Sequence, residues 1–169
     1  MAATGGVGTE EALGSEGRLE RALGVAYRYL GRRDRTESEV RRHLAAKDAD
    51  DASIDGAVEA LVRQGYVDDA RYAHTFAEDR RNLDDWGPER IARRLLALGI
   101  GSGHVAAALA GRDAAGELEA AVALLARRFA TAPDSDRERE RALGMLVRKG
   151  YDLDLAYDAV RAFTRAGGG

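Results

Sequence analysis

Gly65-Tyr66-Val67-Asp68-Asp69-Ala70-Arg71-Tyr72-Ala73 ends one helical pattern and begins the next within a few residues. Gly65 can take the left-handed backbone that closes a helix, and Tyr66 and Val67 put apolar surface on the turn. Asp68 or Asp69 can then accept hydrogen bonds from the unpaired N–H groups that open the following helix. The same form, a glycine after a helical run and then an apolar residue, recurs at Leu98-Gly99-Ile100 and at Lys149-Gly150-Tyr151-Asp152. Punctuation of this kind predicts helical units laid end to end.

Upstream of the Gly65 joint, Leu19, Leu23, Ala26, Tyr27 and Leu30 fall at helical spacing and end near Gly31. Thr36-Glu37-Ser38-Glu39 has the form of a capping box and starts a short helix through Lys47 that carries Val40 and Leu44. Asp50, Asp51 and Ser53 offer the next start, for a helix bearing Ile54, Val58, Leu61 and Val62. Downstream, a helix from Asp68 carries Tyr72, Ala73 and Phe76 and breaks at residues 82–88. Pro88 there suits the first position of the following helix, which holds Ile91, Leu95 and Leu98. Ser102 is read as the cap of a helix with Val105 and Leu109. A long helix follows from about Ala114, then a break at Pro133, a cap at Ser135, and two last helices separated at Gly150. Residues 1–17 lack periodicity and are expected to form a disordered tail, as are 167–169.

Offsetting the chain against itself by 51 residues aligns Val40, Ile91 and Ala142; Leu44, Leu95 and Leu146; Ile54, Val105 and Ala156; and Val58, Leu109 and Val160. Gly99 and Gly150 also coincide, whereas the first unit has Asp48 at that place, where a different turn is expected. The expected organisation is all-α: three tandem three-helix repeats at 18–67, 68–111 and 112–166. A unit of that size buries too little surface alone, so neighbours must cover one another's apolar faces.

Composition agrees. Of the 169 residues 45% are hydrophobic but only 6% aromatic, and alanine, leucine and arginine dominate, as in a helical chain. The absence of cysteine excludes disulfides and thiolate metal sites and suits a cytoplasmic location. No apolar run reaches the roughly 20 residues needed to span a bilayer, and no basic segment precedes an apolar one at the N-terminus, so neither a membrane partner nor a secretory signal is expected. Residues 1–17 carry Glu10, Glu11 and Glu16 with no base. Residues 18–100 hold 16 basic and 16 acidic side chains, and residues 101–169 hold 10 of each. A broad cationic face for nucleic acid is therefore missing, and contact with single- or double-stranded DNA would have to come from local arginine clusters.

The residues that carry a family resemblance are Arg35-Thr36-Glu37-Ser38-Glu39-Val40 with Leu44 and Gly65-Tyr66-Val67-Asp68-Asp69-Ala70-Arg71-Tyr72-Ala73. Trp86-Gly87-Pro88-Glu89-Arg90-Ile91 with Leu95 and Gly99-Ile100, and Arg148-Lys149-Gly150-Tyr151, complete the set. From about Leu23 to Phe163 the chain resembles the RecX family, regulators of the bacterial recombinase RecA; Asp48 departs from it where the family tends to have glycine. The resemblance implies three helix-turn-helix-like repeats in an elongated, curved array. It also implies a monomer that lies in the groove of the RecA filament on single-stranded DNA and restrains ATP hydrolysis, strand exchange and co-protease activity. The processes implied are DNA repair, recombination and the SOS response.

Candidate contact residues are Arg42, Arg80, Arg81, Arg90, Arg93 and Arg94. Arg42 and Arg93 lie one period apart, and Arg90 and Arg94, four apart, share a helix face. One reading makes them a patch for an acidic protein surface or DNA phosphate. The other makes them a solvated face paired with Glu78, Asp79, Asp84, Asp85 and Glu89. Trp86 reads either as a partner anchor or as a loop side chain folded over the core.

Enzyme signatures are missing. His43, His74 and His104 lack metal-ligand spacing, and no cofactor is expected. Gly101-Ser102-Gly103-His104 has neither the preceding strand nor the Lys-Ser/Thr of a phosphate loop. Asp68-Asp69 and Asp84-Asp85 are read as helix-start caps rather than acid–base pairs. The competing expectation is a stand-alone helix-turn-helix DNA binder using Arg41-Arg42 and Arg93-Arg94, which would bind DNA tightly without RecA.

Overall fold

A computed structural model describes residues 7–167 of the chain. Among these residues there are nine helices and no strand: α1 (Val7–Leu30), α2 (Glu37–Ala45), α3 (Asp51–Arg63), α4 (Asp69–Asp84), α5 (Pro88–Ala97), α6 (Ser102–Leu109), α7 (Ala114–Arg128), α8 (Asp136–Lys149) and α9 (Leu153–Ala166). They form the three successive three-helix repeats that the period implies. At the aligned apolar positions every residue is buried except Leu109, which is half-buried with Ala108 beside it in the core.

The turns follow from the same register. Gly65, Gly99 and Gly150 have φ of 77°, 82° and 96°, a region that costs an L-residue about 1–2 kcal/mol. Asp48 makes the same turn, not a different one. Its φ is 60°, and Ala49 N–H donates to the Leu44 carbonyl at 3.2 Å, as Tyr151 N–H does to Leu146 two periods on. Aspartate tolerates this conformation because its short polar side chain can bond locally.

By contacts the chain divides into two compact units. The first holds the described residues up to Tyr72 together with Leu98–Ile100. Its core joins α1, α2 and α3 through Ala26, Val40, Leu44, Val58 and Leu61. Thr36 caps α2 in the expected capping box: its Oγ1 accepts from Glu39 N–H at 3.1 Å and its own N–H donates to the Glu39 carboxylate at 3.0 Å. The Thr36 hydroxyl then donates to the Leu98 carbonyl at 2.9 Å. Asp68 caps α4 by accepting from Arg71 N–H at 2.8 Å, but Asp69 turns to α2 and accepts from Glu37 N–H at 2.9 Å. One Asp-Asp pair thus serves two helix starts.

The second unit holds Ala73–Ala97 and the residues from Gly101 on. Leu124, Leu125, Leu146, Tyr151 and Ala156 centre the packing of α7, α8 and α9. Gly87 N–H donates to the Lys149 carbonyl at 2.8 Å and Glu89 N–H to the Gly150 carbonyl at 3.0 Å, so the start of α5 sits on the end of α8. A Cβ on Gly87 would stand 2.5 Å from Gly150 and Tyr151 backbone atoms, which is why glycine occupies this contact.

Three expectations need correction. Residues 1–6 and 168–169 lie outside the described chain, but from Val7 the expected tail is already helical, and Gly167 is the C-cap of α9. Glu10, Glu11, Ala12 and Leu13 are good helix formers, and α1 is anchored further along by Ala22 and Ala26, so the segment is helical without an apolar period and despite Gly14 and Gly17, each costing about 1 kcal/mol. Ser102 is the first residue of α6, not its cap; Gly101 takes that place without a side-chain bond. Asp84-Asp85 ends α4 rather than opening α5: Asp84 bonds Arg80, and Asp85, at φ 56°, pairs with Arg127.

Candidate partner-binding surface

The five exposed or half-exposed candidates occupy both units. In the first, Arg42 is exposed on α2, with Nε donating to the Ser38 carbonyl of its own helix at 3.3 Å. Beside it is a built polar cluster. Glu39, nearly buried, is held by the Arg33 guanidinium at 2.6 Å and the Arg35 guanidinium at 3.5 Å. Burial pushes the Glu39 pKa up, but the Thr36 N–H and the Arg33 and Arg35 charges outweigh it and hold the carboxyl below its usual range. Arg35 lies 4.2 Å over the Tyr29 ring, and His43 stacks on that ring at 3.8 Å. Burial, with Lys47 and Arg35 nearby, lowers the His43 pKa and favours the uncharged imidazole.

In the second unit the Trp86 loop gathers Arg80 and Arg90. Trp86 is half-buried and packs edge-on against Phe76 at 6.2 Å. The Arg90 guanidinium lies 4.2 Å over its indole, and that of Arg80 lies 5.7 Å away. Such contacts contribute about 0.5–1 kcal/mol each where partly exposed. Arg90 also donates to the Arg148 carbonyl at 3.2 Å, so its guanidinium is held by two contacts, one to the ring and one to a carbonyl. Arg80 is bonded to Asp84, as the solvated-face reading expects for it. Arg93 and Arg94 differ: both are exposed on α5, and neither is in an ion pair among the described residues. The buried Ile91 and Leu95 hold the helix beneath them, and Leu96 is exposed alongside.

Arg81 is the correction. It is only 8% exposed, and its guanidinium donates to the Leu109 carbonyl at 2.9 Å and the Ala108 carbonyl at 3.4 Å at the end of α6, where Leu109 also accepts from Arg112 N–H at 3.3 Å. It also pairs with Glu117, 5% exposed in the first turn of α7, at 3.2 Å, and Arg112 approaches the other carboxylate oxygen at 3.7 Å. This arginine ties α4, α6 and α7 together and is unavailable to a partner. The signal that could have found the pair is Glu117 itself, which lies four residues before Ala121 and eight before Leu125, on the buried stripe of α7. No comparable signal announces Arg127 with Asp85, or Lys149 donating to the Asp84 carbonyl at 2.6 Å.

What the surface offers is guanidinium groups, held in place at Arg80 and Arg90 and exposed at Arg93 and Arg94, beside an aromatic edge. Among the described residues no group of three His, Asp or Glu side chains is placed to hold a metal ion, and no helix is long and apolar enough to cross a membrane.

Comparison with known proteins adds the family. Models of the first, second and third three-helix domains of RecX match residues 22–61, 68–109 and 115–160 in that order. The chain is 32% identical over 148 residues to the regulatory protein RecX of Mycobacterium avium (strain 104), covering 86% of each chain. It is 33% identical over 144 residues to that of Stenotrophomonas maltophilia (strain R551-3), covering 85% of each. The crystal structure of RecX from Lactobacillus salivarius superposes with a TM-score of 0.77 over 88% of this chain and 97% of that one; at 24% identity this likeness speaks to the fold. With all three domains matched in order, and relatives above 30% identity along most of both lengths, the chain belongs to the RecX family.

Proposed function

We propose that this chain is a cytoplasmic regulator that binds the RecA filament on single-stranded DNA, in its groove, and restrains ATP hydrolysis, strand exchange and co-protease action without bond chemistry of its own. The observation that carries the reading is the run of three family domains across residues 22–160, the family to which that role attaches. Physically, a tandem array suits the task, since several moderate contacts on one chain act together at high effective concentration on a repetitive polymer. The contact residues are Arg42, Arg80, Arg90, Arg93 and Arg94. Arg93 and Arg94 matter most, because both are exposed and, among the described residues, neither is in an ion pair or side-chain hydrogen bond that a partner would have to break, whereas Arg42 donates to the Ser38 carbonyl. The near balance of charge in the folded part argues against the alternative, a helix-turn-helix protein that binds DNA alone.

The test is the DNA-dependent ATPase of the cognate RecA with substoichiometric amounts of this protein. The expected result is a lowered rate, restored by Arg93→Ala with Arg94→Ala. Arg90 is left in place because it packs on Trp86. No effect across salt conditions would remove the filament reading, and tight binding to bare DNA at physiological salt would favour the alternative. Full inhibition by the folded double variant would show that the contact surface lies elsewhere.

A further inference from the structure

A similar joint is built twice in this chain, with the excluded contact falling one residue later in the second, on Arg90 rather than the residue one period after Ser38, and its position says what the chain's two outermost repeats must avoid. In the first unit the Thr36 hydroxyl donates to the Leu98 carbonyl at 2.9 Å, and a Cβ on Gly99 would stand 2.3 Å from the Ser38 Cβ. In the second unit Gly87 N–H donates to the Lys149 carbonyl at 2.8 Å, and a Cβ on Gly150 would stand 2.3 Å from the Arg90 Cβ and 2.6 Å from its backbone nitrogen. Thr36 and Gly87 are one period apart, as are Leu98 and Lys149. Each time, the start of a second helix sits on a left-handed turn that has no room for a side chain.

Extending that register outward gives two further positions. The turn one period before Leu98-Gly99 is Lys47-Asp48, and the helix start one period after Gly87-Pro88-Glu89-Arg90 is Glu138-Arg139-Glu140-Arg141; all of these residues are exposed. Lys47-Asp48 repeats Lys149-Gly150 except that the left-handed residue carries the Cβ that both seats exclude. The other end is altered as well. In register with Pro88, α8 would begin at 139, but it begins three residues earlier at Asp136, and Glu138 N–H is turned to the Ser135 hydroxyl of its own cap at 3.4 Å. We infer that Asp48 and the early start of α8 are end-stops, which keep a second copy of this chain from seating its third repeat on the first repeat of its neighbour. The contact they block is heterologous, joining different surfaces of two copies, so each contact made leaves a free surface at either end for the next copy.

The inference does not rest on the proposed function and is tested by sedimentation velocity over a rising concentration series. Asp48→Gly with Glu138→Gly and Arg139→Pro restores Lys-Gly at one end and Gly-Pro-Glu-Arg at the other. This triple variant is expected to gain mass as concentration rises, while the wild-type protein sediments as one chain throughout. Asp48→Gly alone and the Glu138→Gly/Arg139→Pro pair alone stay single, and a mixture of the two stops at the dimer. Asp48→Ala in place of Asp48→Gly returns the triple variant to the single chain, because the methyl group suffices to block the seat. The inference is overturned if the triple variant keeps wild-type helix content and remains a single chain. It is equally overturned if the wild-type protein assembles, or if the Asp48→Ala version assembles as strongly as the glycine version.

Discussion

Alanine at position 150 would put a methyl group 2.3 Å from the Arg90 Cβ, 2.6 Å from its nitrogen and 3.0 Å from its Cα. Two costs add. The φ of 96° disfavours any L-residue by about 1–2 kcal/mol. The clash is with the first turn of α5, which can retreat only by stretching the bonds from Gly87 to Lys149 and from Glu89 to Gly150, adding about 2–4 kcal/mol from overpacking and weakened hydrogen bonds. Gly150→Ala is therefore expected to destabilise the second unit by about 3–6 kcal/mol. Gly65→Ala is the control: its φ is 77°, but nothing lies within 4 Å of the added Cβ, so only the backbone cost of about 1–2 kcal/mol applies. Gly99→Ala, which meets mainly the Ser38 side chain, should fall between them. Urea titration followed by far-ultraviolet circular dichroism, with each transition fitted by linear extrapolation, gives the three values. If Gly150→Ala costs the same as Gly65→Ala within about 0.5 kcal/mol, the close approach of α5 to the end of α8 does not exist in solution.

Arg81→Ala leaves the buried Glu117 carboxylate with Arg112 alone, at 3.7 Å, and removes the guanidinium bonds to the end of α6, a loss of about 3–5 kcal/mol in thermal or chemical unfolding; replacing Arg81 and Glu117 by Met and Leu should recover the part due to the buried charge but not the bonds to the Ala108 and Leu109 carbonyls. The Glu39 pKa is depressed in the folded state despite burial, so its stabilisation is present above the ordinary carboxylate range and is lost as pH falls below that range through the depressed folded value. The stability gap between wild type and Glu39→Gln should accordingly close on acidification, and a gap that stays constant would refute the assignment. Tyr151 is pushed up to about 12, first by burial and then by Glu117, so the neutral phenol stabilises the fold below about pH 10 and that contribution is lost between about 10 and 12. Melting temperatures of wild type should fall relative to Tyr151→Phe across that window and run parallel to it below.

The sequence was most legible where a short-range rule governs. The spacing of Leu44, Leu95 and Leu146 located three buried positions because a helix repeats locally, and Thr36 with Glu39 specified a capping box three residues long. It was least legible where a side chain reaches another element. Asp69 looks like one more helix-start acid, yet its partner is Glu37, 32 residues away. Arg81 is next to Arg80 in a basic dipeptide, but about 100° of helix rotation separates a half-exposed residue from one sealed under α6 and α7. Of the candidate surface, Arg42, Arg93 and Arg94 are exposed, whereas the stacking of Arg90 on Trp86 depends on a loop whose path no periodicity encodes. Asp48 shows the converse: a missing glycine did not change the turn, because aspartate can adopt the same backbone at modest cost.

Trp86 is the chain's sole tryptophan, and its indole is half in solvent with Arg90 4.2 Å above it and Arg80 close by. Red-edge excitation therefore collects emission from a single place on the molecule, next to the start of α5. Any encounter that draws either guanidinium off the ring will change that emission's colour and yield, so the unlabelled protein carries its own optical gauge of what touches this loop.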